Sequence, residues 1–261
     1  MSAASILSST NLCIGYTNEK VVKIIANDLN LKLQAGQLLA LIGANGVGKS
    51  TLLRTLTGIQ KPISGTVEML GKPLASFETG AMAQQISVVL TENLPPSNLT
   101  VFELVALGRQ PYTDWIGKLS NTDKKVIDWA MEQTQVMDLR NKKHHEISDG
   151  QLQRVLIARA LAQDTPLIIL DEPTTHLDLF HKVTLLKLLK KLSKETNKCI
   201  LFSTHDIDMA IQVADEMIVM TAKTVVQDQP CNLISKGIFD QLFDDKSITF
   251  DATFGKFIIS G

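Results

Sequence analysis

Short apolar runs recur along the chain, and each stops at a residue suited to a turn or to chemistry: Leu38 to Ile42, Leu167 to Leu170 and Ile200 to Phe202. Each run has the length of a strand, and helical spacing follows it. After the first run, Leu52, Leu53 and Leu56 share one face of the segment from Lys49 to Leu56; after the second, Leu185, Leu188, Leu189 and Leu192 do the same. Uninterrupted apolar strands joined by crossover helices predict an α/β fold whose sheet is mostly parallel and buried on both faces. The middle of the chain changes rhythm. Pro95 and Pro96 break it, then Val101 to Leu107 and Lys125 to Met137 read as helices, the second with Val126, Ile127, Ala130 and Met137 on its apolar face. Residues 94–148 are therefore expected to form a helical insertion, with a loop over Tyr112 to Lys124. The stretch from Gln227 to Gly261 is expected to complete the sheet and pack a last helix near Ile238 to Phe243.

Composition agrees with a globular domain: 261 residues, 44% hydrophobic and 20% charged. A net charge of -1 offers no basic stripe for nucleic acid, so no nucleic-acid partner is expected. Cys13, Cys199 and Cys231 are odd in number and far apart, which suggests neither a disulfide framework nor a zinc site and fits a reducing cytosol. No Lys or Arg precedes Lys20, so no secretory n-region is expected. The apolar runs fall far short of the ~20 residues that cross a bilayer. If the protein works at a membrane, a partner must span it.

The first strand run leads into Gly43-Ala44-Asn45-Gly46-Val47-Gly48-Lys49-Ser50, which satisfies GxxxxGK[ST] between a strand and a helix that continues with Thr51. Glycines let backbone N–H groups converge on phosphates, and the helix N-terminus adds partial positive charge. Lys49 can reach the β and γ phosphates of ATP, and the Ser50 hydroxyl can ligate Mg2+. The run Leu167 to Leu170 ends in Asp171, a carboxylate suited to magnesium, and Glu172 follows at a position to orient or deprotonate an attacking water. His205 follows Ile200 to Thr204, on the same carboxyl edge of the sheet, where it can contact the γ-phosphate. These residues together describe a P-loop ATPase.

Ile147-Ser148-Asp149-Gly150-Gln151, placed before a helix, narrows that description, because it resembles the signature motif of the ABC ATPases. Tyr16 matches the aromatic that stacks on adenine in that family. The segment Glu172-Pro173-Thr174-Thr175-His176-Leu177-Asp178 matches its D-loop, and Ser203-Thr204-His205-Asp206 its switch histidine. The resemblance covers nearly the whole chain. It implies one ABC ATPase domain over 1–261, with an N-terminal antiparallel β part and the helical subdomain at 94–148. It also implies a second copy, whose Ser148, Gly150, Gln151 and Asp178 face ATP held by the P-loop of the first. There are two departures. Asp149 stands where the family has glycine, and Thr91, after the strand Ile86 to Val89, stands where a glutamine normally touches magnesium, with Glu92 next to it as the other residue able to lend that oxygen.

Ala106-Leu107-Gly108-Arg109-Gln110-Pro111-Tyr112 and Thr175-His176-Leu177-Asp178 resemble the importer ATPases of iron-siderophore, haem and cobalamin uptake. Arg109 and Tyr112 can equally serve to close a helix within the insertion. The importer resemblance implies integral-membrane permeases, indirectly a substrate-binding protein, and a place on the cytoplasmic face of the membrane. A non-transport ABC ATPase of repair or translation would need an arm, a zinc site or a second cassette. A small-molecule kinase would have no task for Ser148 to Gln151 or for His205.

Overall fold

Apolar runs with both faces covered organise the computed structural model, which describes residues 5–18, 21–90, 97–243 and 247–259. The chain opens with antiparallel strands β1 (Ser5–Asn18), β2 (Val21–Leu29) and β3 (Lys32–Gln34), then enters the central strand β4 (Leu38–Gly43) and helix α1 (Lys49–Leu56). It returns to the antiparallel part through β5 (Ser64–Met69) and β6 (Lys72–Pro73), and a short helix α2 (Thr79–Ala83) leads to β7 (Ile86–Val89). Three helices follow: α3 (Val101–Ala106), α4 (Asn121–Gln133) and α5 (Asp149–Ala162). Strand β8 (Leu167–Leu170), helix α6 (Leu179–Thr196), β9 (Cys199–Ser203), α7 (Ile207–Val213), β10 (Glu216–Met220) and β11 (Val225–Asp228) complete the second sheet. Helix α8 (Pro230–Ser235) and a hairpin of β12 (Ile248–Asp251) and β13 (Lys256–Ile259) end the described chain.

The larger sheet runs β11-β10-β4-β9-β8-β7, parallel except for the edge strand β11. The smaller runs β2-β1-β5-β6, with β3 also paired to β1. Alternation along β4 shows why its sequence is apolar throughout. Leu38, Ala40 and Ile42 join the core shared with α3 to α6, while Leu39 and Leu41 face the core shared with α1 and the antiparallel strands. Burial on both faces fixes the register and brings the ends of β4, β8 and β9 to one edge.

Several expected boundaries move. Helix α4 begins at Asn121 rather than Lys125, because Ser120 and Asp123 form a capping box at its start, so the loop shrinks to residues 113–120. It ends before Met137, since Gln135 takes a left-handed φ of +58° and Met137 falls in a separate 3-10 turn. Ile127, Ala130 and Met131 form its buried face, with Val126 only partly covered. Residues 107–112 tighten into a 3-10 turn containing Pro111. The C-terminal helix lies at 230–235, and only a 3-10 turn occupies 239–241. Phe239 and Phe250 stack there at 4.7 Å, and Phe257 meets Phe250 edge-on, so aromatic packing holds the hairpin outside the sheets. Among the described residues no helix is long and apolar enough to cross a membrane.

Arg109 and Tyr112 do close helices. The Arg109 guanidinium is buried. It pairs with Asp123 at 2.8 Å, donates to the Ala162 carbonyl at the end of α5 at 2.8 Å, and lies 3.9 Å over the Tyr112 ring. Tyr112 in turn donates to the Gln163 carbonyl. Gly108 permits the approach, since a Cβ there would lie 2.2 Å from the Arg159 carbonyl oxygen.

Candidate active site

Strand β4 stops at Gly43, where any side chain would strike the Met220 carbonyl, and the loop turns into α1 through Gly48 at φ +114°. A Cβ on Gly48 would lie 2.2 Å from Ile25, so only glycine lets the loop close against β2. Lys49, Ser50 and Thr51 form the first turn of α1, with N–H groups directed out of the helix start. Lys49 is buried, and its Nζ donates to the carbonyls of Gly43 at 2.8 Å and Ala44 at 3.4 Å. Burial lowers its pKa, while the carboxylates of Glu172 and Asp171 act in the opposite sense. Ser50, Ala44, Asn45 and Gly46 are exposed around it, and Val47 packs inward. Tyr16 stands beside this turn with its hydroxyl bonded to Thr51 Oγ1 at 2.8 Å and its ring half-exposed. The Thr51 side chain is thereby occupied by Tyr16, which leaves its N–H as the group a phosphate can use.

The ends of β8 and β9 are joined by the buried hydroxyl of Ser203, a residue of the switch segment to which the sequence alone assigns no separate role. Ser203 Oγ donates to Asp171 Oδ1 at 2.6 Å and accepts the Glu172 N–H at 2.9 Å, so one side chain sets both acidic residues. The sequence carried the signal, a serine closing an apolar strand one residue before Thr204-His205, although its partner lies on another strand. Glu172 sits at φ +48°, which swings its carboxylate away from the line of β8. Its Oε1 meets His205 Nε2 at 2.5 Å, and its Oε2 accepts from Thr175 at 3.2 Å. Asp206 ties the same two loops together, accepting from Thr174 and Lys182 at 2.9 Å each.

Lys49, Asp171, Glu172 and His205 thus meet at one edge of the parallel sheet, with Tyr16 to the side. Ser148, Gly150, Gln151 and Asp178 form a second group. Ser148 caps α5 and exchanges hydrogen bonds with Gln151, at 3.3 Å to its hydroxyl and 3.0 Å from its N–H. Asp149 lies exposed in that first turn, where a carboxylate complements the dipole of its own helix. Asp178 caps α6, accepting the His181 N–H at 2.9 Å. Among the described residues no hydrogen bond joins this second group to residues 43–51. Thr91 and Glu92 lie outside the described residues.

Comparison with known proteins gives the same outline. A family model described as ABC transporter matches residues 26–175. The iron(3+)-hydroxamate import ATP-binding protein FhuC of Bacillus subtilis is 38% identical over 247 residues, which span 94% of this chain and 90% of the relative. An ABC transporter solved in an inward-facing conformation and described as of the metal-chelate type superposes with a TM-score of 0.79 at 30% identity, covering 92% of this chain and 89% of the other. The dimeric ATP-binding cassette MJ0796, bound to ADP and Pi in a post-hydrolysis state, superposes with a TM-score of 0.72 at 27% identity, covering 86% and 98%.

Proposed function

The chain belongs to the ABC transporter family as an ATP-hydrolysing subunit, and on that premise we propose that it powers uptake of a metal chelate of the iron-siderophore, haem or cobalamin type through a partner permease. The similarity to importer ATPases such as FhuC supports the cargo class, and the observation that carries the ATPase half of the reading is the division of the site. The nucleotide group around Lys49 and the group at the starts of α5 and α6 lie apart within one chain, so a second copy related by a two-fold axis completes each site. Tyr16 stacks on adenine, and Lys49 with the N–H groups of 43–51 holds the phosphates. Across the interface, Ser148, Gly150 and Gln151 receive the γ-phosphate, with Asp178 beside them. Residues 94–148 act as a helical subdomain that passes movement to the permease, within one ATPase domain over 1–261. The working place is the cytoplasmic face of the membrane, and a substrate-binding protein supplies the cargo.

The donor set fits magnesium. Ser50 and Asp171 offer hard oxygens, and among the described residues no three His, Cys, Asp or Glu side chains form a metal cage. Magnesium takes one or two protein oxygens and completes its shell with phosphate oxygens and water. Thr91 is proposed as a further oxygen by resemblance alone. When bound, the ion neutralises charge on the β and γ phosphates. Hydrolysis adds water to the γ-phosphorus and breaks its bond to the bridging oxygen, and Glu172 takes the water proton. His205 holds the Glu172 carboxylate through Nε2 and contacts the γ-phosphate. Because Ser203 orients Asp171 and Glu172 together, Ser203→Ala is expected to lower magnesium-dependent turnover by about 10–100-fold. ATP binding measured without metal should stay near the parent value, and unchanged turnover in a magnesium titration would remove Ser203 from this role.

The substrate class is tested by replacing the chain in its host with Lys49→Ala and following uptake of radiolabelled ferric hydroxamate, ferric catecholate, haem and cobalamin. Loss of one uptake supports the metal-chelate reading, and undiminished uptake of all four overturns it.

A further inference from the structure

The side chain of His181 lies outside every motif, yet it bonds one of the two elements that the proposed function assigns to the far side of the nucleotide and lies beside the other. As cap residue, Asp178 needs only the backbone N–H of residue 181, which any amino acid supplies. His181 adds a second bond, from its ring Nδ1 to the same Asp178 Oδ1, at 2.8 Å. A carboxylate can only accept, so the network assigns the proton to Nδ1. The ring also leans on the start of α5. A Cβ built on Gly150 would lie 3.3 Å from His181 Cδ2, a tight approach, and 3.7 Å from Leu177, an ordinary contact. Beside the ring is a recess of about 200 Å³ whose lining includes Gln135, Asp138, Gly150, Gln151, Arg154 and His181. Phe180, itself exposed, lies edge-on to the imidazole at 5.6 Å.

We propose that His181 is a positioning residue that locks the loop ending at Asp178 to the start of α5, so that both elements meet the nucleotide of a second copy as one body. The inference rests on the two-copy reading above. Capping alone does not explain the ring, since the N–H at 2.9 Å already satisfies the helix start. Burial does not explain it either, because the side chain is about half-exposed. The Asp178 carboxyl is held below the usual carboxylate range, first by the backbone N–H of His181 and then by the ring, so it is an ionised acceptor at neutral pH. Gly150 leaves room for the ring on the opposite side, where a methyl group would shift the imidazole by a few tenths of an ångström. Rigid coupling of the two elements spares the dimer the cost of ordering each of them separately when ATP is bound.

The test places His181→Ala, His181→Asn, Asp178→Ala and the His181→Ala/Asp178→Ala pair in a Glu172→Gln parent and measures ATP-dependent dimerisation by sedimentation. His181→Ala is expected to weaken the dimer about tenfold, because the hydrogen bond that orients Asp178 is lost once in each half of a two-fold assembly. His181→Asn keeps an N–H donor near the Nδ1 position and should return the dimer to within about twofold of the parent. The paired variant should dimerise no worse than Asp178→Ala alone, since both changes remove one interaction. ATP affinity of the separated subunit and the melting temperature should stay at parent values for His181→Ala. A His181→Ala variant that dimerises like its parent, an Asn variant as weak as Ala, or additive losses in the pair would each overturn the proposal. A parent that forms no ATP-dependent dimer would instead overturn the two-copy reading and the inference with it.

Discussion

Glu172→Gln is expected to cut ATP turnover by about 10²–10⁴-fold while leaving ATP binding intact, and to accumulate the ATP-bound pair of subunits. The amide matches the carboxylate in shape, and the Glu172 N–H bond to Ser203 does not involve the side chain. What disappears is a base able to take the water proton. The charge near Lys49 also falls by one, which removes part of the electrostatic support for its ammonium and leaves the phosphates of ATP to supply it. Phosphate release in the steady state measures the first effect, and sedimentation with and without ATP the second. Wild-type turnover in this variant would remove Glu172 from the role of base and shift attention to His205, its partner at 2.5 Å.

The second large effect concerns stability. Arg109→Ala is expected to destabilise the fold by about 3 kcal/mol, because it strips the buried Asp123 carboxylate of its cation and leaves it only the Ser120 N–H and hydroxyl. It also takes a donor from the Ala162 carbonyl and a cation from above the Tyr112 ring. Denaturant unfolding measures the loss, and a change below about 1 kcal/mol would show that the pair does not hold the helices. Nucleotide affinity at low temperature should persist, since these contacts join α3, α4 and α5 rather than the P-loop. The Asp123 carboxyl is held below its usual range, first by the Ser120 hydroxyl and then, among smaller causes, by Arg109. A depressed pKa stabilises the fold fully above the unfolded value near about 4 and loses that contribution as pH falls through the lower folded value. Acid unfolding of the parent should therefore be shallow until below pH 4 at this pair, and Arg109→Ala should raise the pH at which its share is lost.

Much of the nucleotide site was legible because it is local. Gly43 to Ser50 is one uninterrupted segment, and the strands that end at Gly43, Leu170 and Ser203 declare themselves by short apolar runs buried on both faces. What the sequence left unread depends on partners distant along the chain. Ser203 matters through Asp171, and Arg109 through Asp123 and Ala162. His181 matters through Gly150, which lies on another helix. No periodicity announces such pairs. The C-terminal hairpin escaped because its strands are only four residues each and are held by Phe239, Phe250 and Phe257 rather than by a long alternating pattern. The start of α4 could have been read, since Ser120 and Asp123 have capping-box spacing, but the apolar positions drew the boundary four residues late.

The central claim is that this ATPase drives a membrane-spanning partner. Affinity capture of the tagged Glu172→Gln chain from detergent-solubilised native membranes, with ATP present, tests it most directly. The account predicts recovery of a multi-span permease together with a second copy of this chain. Recovery of the chain with no membrane-spanning protein, from membranes in which it is abundant, would contradict it.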